Sequence, residues 1–298
     1  MKNRFLILLS FVLIVGRDVV CANTSMVRER ININRDWRYQ IDDPDGVGAA
    51  LHYSRLKPYL LPCANDFIIF GKRYQRPEGN PGENIAYVKS DFDDSEWRHL
   101  NLPHDWAIEG PFNIDYNGST GKLPYWGIRW YRKTLELSQD DAGKQIYLDI
   151  DGAMSYVSVW CNGQYVGGWP YGYASFRLDL TPYIKAGQKN VLAIRLDNPD
   201  DTSRWYPGSG IYRNVWLVKT SPVHVEQWGT FVRNQQVDSE IAVMEMGVNI
   251  ENHAGKDVQV KLQTSVYLQG KDGRPVGEEV AQSMAKNIAC LLYTSPSP

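Results

Sequence analysis

The chain has 298 residues, 43% of them hydrophobic and 12% aromatic, with a formal net charge of −2. That is enough apolar material for about two packed domains and too little charge for a disordered chain. No basic stripe invites nucleic acid, and no apolar run reaches the roughly 20 residues of a membrane-spanning helix.

Lys2 and Arg4 precede an apolar run from Phe5 to Val15, broken only by Ser10, and Val20-Cys21-Ala22 follows as a small-residue cleavage signal. This pattern predicts a secretory signal peptide over residues 1–22 and an exported chain, periplasmic or extracellular, starting at Asn23. A lipid anchor on Cys21 is the competing reading, weakened by Asp18-Val19-Val20 where such a site carries Leu and a small residue. Past the leader only Cys63, Cys161 and Cys290 remain. That is too sparse for a disulfide scaffold; one Cys63–Cys161 bridge or simple buried thiols both fit. Asn23-Thr24-Ser25 and Asn117-Gly118-Ser119 match the glycosylation sequon.

From Ile31 onward the hydrophobic period is two. Arg55 to Gly71 lacks clean periodicity and reads as an inserted loop with a short helix. Ile146, Leu148 and Ile150 share one strand face. Tyr156 to Cys161 then runs into Asn162-Gly163, a strong hairpin signal, and Gln164 to Trp169 returns. Phe176, Leu178 and Leu180 alternate again, and Thr181-Pro182 predicts a capped helical turn. Val191 to Asp197 and Asn214 to Lys219 are further strands. Short strands with turn chemistry between them predict an all-β sandwich or barrel, and nothing in the chain alternates strand and helix as a TIM barrel does.

Ser221-Pro222 marks a boundary. Beyond it Val258, Val260, Leu262, Thr264, Val266 and Leu268 alternate over eleven residues, and Ile241 to Glu251 is the expected partner strand. Lys271-Asp272-Gly273 then makes a turn. Residues 222–289 are expected to form part of an immunoglobulin-like sandwich, which needs about 100 residues. Cys290 to Pro298 continues no pattern and reads as non-native tail.

Two groups of motifs carry a resemblance. The first is Asp93-Asp94-Ser95-Glu96-Trp97, Leu102-Pro103-His104-Asp105-Trp106 and Trp130-Tyr131-Arg132-Lys133-Thr134. The second is Asp197-Asn198-Pro199 followed by Ser203-Arg204-Trp205-Tyr206-Pro207-Gly208-Ser209-Gly210-Ile211-Tyr212-Arg213. With Asp151-Gly152 and Trp160-Cys161-Asn162-Gly163 between them, they resemble the jelly-roll sugar-binding domain (here 23–221) that opens family 2 glycoside hydrolases. Val225 to Val232 resembles the start of that family's immunoglobulin-like domain.

The resemblance implies a β-galactosidase-like parent, a retaining hydrolase of terminal β-galactosides. Its two glutamates would stand on a barrel this chain lacks, against which the chain would pack. A β-glucuronidase or β-mannosidase front end, and a stand-alone carbohydrate-binding protein, are the alternatives. Members of the family lend a first-domain carboxylate to the sugar, six residues before the glycine of the Gly-Ile-aromatic-Arg motif. Here that position is Arg204, with Asp200 and Asp201 nearby. The expected partner is a β-galactoside-containing glycan, with homo-oligomerisation left open. No cofactor is evident, although full-length members sometimes need a weakly held cation.

The residues can also be read without the family. Pro207, Gly208 and Gly210 force a tight loop whose start carries Arg204, Trp205 and Tyr206, a stacking face and a hydrogen-bonding fork for a hydroxyl-rich ligand. Their alternative use is to plug the sandwich end. Asp201, Asp105 and Trp106 join them as candidate substrate contacts. His104 beside Asp105 does not make an acid–base pair, because neighbours on an extended chain face opposite ways. Asp149 and Asp151 read as a turn-capping pair. No Gly-x-Ser-x-Gly elbow occurs, and the five histidines show no metal spacing.

Overall fold

The computed structural model describes residues 4–8, 28–68, 71–200, 208–284 and 288–290. It divides into two compact units, Arg28–Lys219 and a second made of Thr220 onward together with the N-terminal residues. The first strand, β1 (Arg4–Leu8), belongs to that second unit.

Among the described residues, the Arg28–Lys219 unit is built on two sheets. The strands are, in chain order, β2 (Glu29–Asn32), β3 (Trp37–Ile41), β4 (Arg98–Leu100), β5 (Gly127–Glu136), β6 (Gln145–Ile150), β7 (Val157–Cys161), β8 (Gln164–Trp169), β9 (Phe176–Asp179), β10 (Lys189–Asn198) and β11 (Val215–Thr220). One sheet runs β4-β3-β5-β10-β7-β8 and the other β2-β11-β6-β9. Alternate residues of both point into one core, where Tyr131, Val157, Val159, Leu192 and Ile194 meet Ile146, Leu148, Ile150, Phe176 and Leu217. The period-two pattern allows a sandwich or a barrel, and the two sheets form a sandwich.

Local chemistry sets the turns. Asn162 and Gly163 both take positive φ (52° and 80°), as a type I′ hairpin requires, and join β7 to β8 in the predicted place. The Asn162 side chain also locks β10, accepting from Val191 N at 2.9 Å and donating to Tyr183 O at 2.9 Å. The predicted cap at Thr181 is different. Its hydroxyl accepts from Ile146 N at 2.9 Å, so it serves the neighbouring strand, and 181–183 form a turn without a helix.

The six-stranded sheet is buried on both faces. Its outer face carries Trp130, Trp160, Tyr165 and Ala193, covered by Val47, Leu51, Leu56, Leu60, Ile85, Val88 and Trp97 from the segment between β3 and β4. The insertion expected at Arg55–Gly71 is therefore part of a larger lid, with α1 (Tyr53–Leu60) and a 3₁₀ turn (Leu61–Phe67) at its centre. Trp130 and Trp160 stack beneath it at 5.4 Å. Each indole removes on the order of 200 Å² from water, an upper bound of roughly 5 kcal/mol apiece. The lid lies so close that a side chain at Gly168 would strike the Val157 carbonyl and approach Leu60 to 2.8 Å.

Two buried arginines staple the lid down. Arg195, on the outer face of β10, holds Asp43 with two 2.8 Å bonds, reaches Asp197 at 3.1 Å and donates to Leu51 O at 3.4 Å. Arg132 on β5 pairs with Asp94 at 2.7 Å and donates to the Tyr87 and Lys89 carbonyls. Cys63 and Cys161 are thiols and form no bridge; burial pushes the Cys161 thiol up to about 12.

In the second unit the described strands are β12 (Val223–Val237), β13 (Ala242–Asn252), β14 (Val258–Val260), β15 (Gln263–Gln269), β16 (Pro275–Met284) and β17 (Ile288–Cys290). The expected pairing of 241–251 with 258–268 does not occur: β13 pairs with β12, and β15 with β16. Each chooses its nearest neighbour, across a turn built on Asp238 and one at 270–273. Short closures cost less chain entropy than the longer connection would. The alternation over 258–268 is also broken into β14 and β15. Cys290, expected to open the tail, lies in β17 and accepts from Asn252 Nδ2 at 3.0 Å.

Glu251 on β13 takes His224 Nε2 and His253 Nε2 on one oxygen, each at 3.3 Å. Burial pushes its carboxyl up, but the two histidine hydrogen bonds outweigh that and hold it well below the usual carboxylate range. A depressed folded-state pKa contributes stability that is present above about pH 4.3 and lost as pH falls below it. Glu251→Gln should destabilise the second unit by about 1–3 kcal/mol at neutral pH, with the gap to wild type closing in denaturation curves taken below about pH 4. Removing Asp43 strands a buried guanidinium, so Asp43→Ala should cost about 3–5 kcal/mol in urea unfolding of the full chain.

Candidate functional site

Where β10 ends, one side chain gathers three loops. Asn198 is buried, and its Nδ2 donates to Tyr125 O at 2.7 Å and Gly208 O at 3.1 Å, while Oδ1 accepts from Ser155 Oγ at 3.0 Å. Ser209 Oγ donates to the same Tyr125 carbonyl at 2.6 Å. Met154 and Gly210 exchange backbone hydrogen bonds of 2.9 and 3.1 Å. Gly210 has φ +82°, and a Cβ there would meet Tyr131 Oη at 2.8 Å and run into the His104 carbonyl. Only glycine fits so close a crossing.

Beside this knot lies a cavity of about 210 Å³. Its walls are Tyr53 at the start of α1, Met154-Ser155-Tyr156 after β6, and Pro170-Tyr171-Gly172-Tyr173 after β8; Asn198 and Gly208 reach its base. Tyr53 and Tyr156 make an edge-to-face pair at 4.7 Å, and Tyr171 and Tyr173 a tilted pair at 5.9 Å. Tyr171 is 51% exposed, so its ring is open to a ligand. Tyr212 Oη pins the turn by donating to Gly172 O at 2.8 Å. Burial raises the Tyr53 hydroxyl pKa further above neutrality. Among the described residues the lining is aromatic, apolar and uncharged, a surface suited to binding.

Four of the sequence-derived contacts, Asp201, Arg204, Trp205 and Tyr206, lie outside the described residues. Asp200, just before them, accepts from Tyr125 Oη at 3.2 Å. Asp105 is committed to the backbone: it accepts from Ala107 N at 2.9 Å and also from the Ser209 and Ile108 amides. Burial raises its pKa and these amides lower it, the net shift being upward. Its place is therefore to tie the 105–108 turn to the residue after Gly208. Trp106 is a correction. It is 4% exposed and packed in the sandwich core with the Arg129 guanidinium 5.1 Å from its ring, so it offers no face to a sugar.

His104 is structural as well. Its Nδ1 meets Tyr131 Oη at 2.7 Å and its Nε2 meets Glu109 at 3.2 Å, with burial lowering its pKa against the pull of Glu109. Asp149 and Asp151 do not cap a turn. Asp149 takes both arms of Arg177 at 2.6 and 2.8 Å, and Asp151 accepts the Trp216 indole N–H at 2.9 Å. Among the described residues no group of three His, Cys, Asp or Glu is placed to hold a metal. The cavity tyrosines were missed by sequence reasoning. The available signal was Tyr171-Gly172-Tyr173, two aromatics in a glycine turn between strands.

Residues 86–221 match the family model described as glycosyl hydrolases family 2, sugar binding domain. A β-galactosidase of Bacteroides ovatus is 40% identical over 279 residues, covering 92% of this chain and 28% of that protein. A putative β-glucuronidase of Formosa agariphila is 36% identical over 194 residues, 62% of this chain and 19% of its own. A solved glycosyl hydrolase family 2 member from Bacteroides cellulosilyticus superposes with TM-score 0.68 at 27% identity, over 87% of this chain and 28% of that one. The chain thus spans less than a third of each of these relatives.

Replacing the Asn198 amide would leave buried carbonyls without donors. Asn198→Ala should lower stability by about 2–3 kcal/mol in chemical denaturation, and amide exchange at Met154 and Gly210 should quicken with it.

Proposed function

We infer that this chain, which carries the sugar-binding domain of glycoside hydrolase family 2, is the substrate-side front part of an exported hydrolase of terminal β-galactosides. The observation that carries the reading is the 40% identity to a β-galactosidase across 92% of the chain. The sites described here are suited to holding a sugar. Retaining hydrolysis needs two carboxylates about 5–5.5 Å apart. The family's Asn-Glu pair is absent from this sequence, so the pair would come from the rest of the parent. The chain by itself is expected to show no turnover. A stand-alone binding module is not favoured, because the matching relatives carry hydrolase names.

A second reading has one observation behind it. Arg204 stands where the resemblance carries an acid, and a guanidinium is the natural partner of a uronate carboxylate. A β-glucuronidase of Formosa agariphila is among the matched relatives. The broader coverage of the galactosidase relative favours the first reading. Export rests on the charge and apolar pattern of residues 1–22.

The parent protein should release nitrophenol from the β-galactoside at least about tenfold faster, as kcat/KM, than from the β-glucuronide, a difference of about 1.4 kcal/mol in transition-state binding. The reverse ratio would establish the uronate reading, and activity on neither would sink both. The chain alone should match a heat-killed control, and the exported form should begin, by mass, at Asn23.

A further inference from the structure

We propose that the tyrosine-walled cavity is a sugar subsite that takes one neutral pyranose ring, stacked on Tyr171 and hydrogen-bonded by the hydroxyls of Tyr53 and Tyr156. The proposal rests on the chain being sugar-binding.

Size is the first argument. A volume of about 210 Å³ is far more than one water needs, about 30 Å³ in the liquid, and less than the roughly 300 Å³ at which drug-sized pockets begin. That is the scale of one sugar ring.

Chemistry is the second. A pyranose has apolar C–H patches on its faces and hydroxyls around its rim. Tyrosine has the matching form, an apolar face ending in a polar tip, and it adds contact area with little rotamer entropy to lose. The hydroxyls of Tyr53, Tyr156 and Tyr171 make no hydrogen bond among the described residues. They are therefore available to a ligand. Ser155 and Asn198 at the base are already bonded to each other, so the specificity falls to the tyrosines. Among the described residues the lining carries no Arg, Lys, His, Asp or Glu, which selects a neutral ring over a uronate.

Preorganisation is the third. Tyr156 sits in the left-handed region at φ 44°, rare for a bulky residue, with its N–H on Pro170 O at 3.2 Å and its ring against Tyr53. Tyr53 follows Leu51, whose carbonyl is held by Arg195. Walls fixed in this way lose little freedom when a sugar enters.

The test is calorimetric titration of the full chain with methyl β-galactopyranoside, methyl β-glucuronide and a β-linked galactotriose. Galactoside and trisaccharide should bind, and the glucuronide should bind at least tenfold more weakly. Tyr171→Ala should weaken trisaccharide binding tenfold or more at an unchanged melting temperature, and Tyr171→Phe only two- to threefold. If Trp205→Ala abolishes binding while Tyr171→Ala and Tyr173→Ala leave it intact, the sugar sits on the motif and the cavity proposal is overturned, although the chain remains sugar-binding. Absence of any saccharide binding up to tens of millimolar also overturns it, and the activity of the parent then decides the wider reading separately.

Discussion

The buried ion pair between Arg195 and Asp43 is the interaction on which the rest of the first unit depends. A guanidinium on the outer face of a sheet has lost its water and needs its hydrogen bonds returned by protein. Asp43, Asp197 and the Leu51 carbonyl return them, and all but Asp197 belong to the lid. The same contact therefore seats the lid, excludes solvent from the Trp130–Trp160 stack and sets where α1 begins. Tyr53 is the first residue of that helix. A structural charge on β10 and an aromatic wall of the cavity are in this way two ends of one short chain of contacts.

Much of the sandwich was legible because strand periodicity and hairpin chemistry are local. The β7–β8 turn at Asn162-Gly163 and the strands around it follow from residues within a few positions of one another. What could not be read is what depends on distant pairs. Arg132 and Arg195 look like solvent-facing residues of alternating strands until the lid is placed over them, and Trp130 and Trp160 then become core. The second unit shows the same limit. The apolar alternation at 258–268 correctly marks β structure, yet it does not say which strand it meets, and the nearest turns decided that.

The candidate site divides along the same line. The motif residues at 201–207 stand out in sequence because proline, glycine and aromatics are crowded together. The cavity does not, because its four tyrosines come from three separated segments, brought together by the Tyr53–Tyr156 ring pair and the bond from Tyr156 N to Pro170 O. Trp106 shows the converse error. A tryptophan within a recognisable motif invited a ligand role, and packing against Arg129 and the sandwich core accounts for it instead. The motif containing His104 and Asp105 likewise serves to hold backbone, through Tyr131, Glu109 and the amides around Ser209.

Gly210 carries a further lesson about how such chains are classified. Its backbone passes so near His104 and Tyr131 that any side chain is excluded, whatever ligand the neighbouring loop receives. Selection for a folded sandwich is enough to preserve it. This glycine is thus a record of architecture. Libraries meant to change what the neighbouring loop receives should therefore leave the glycine untouched.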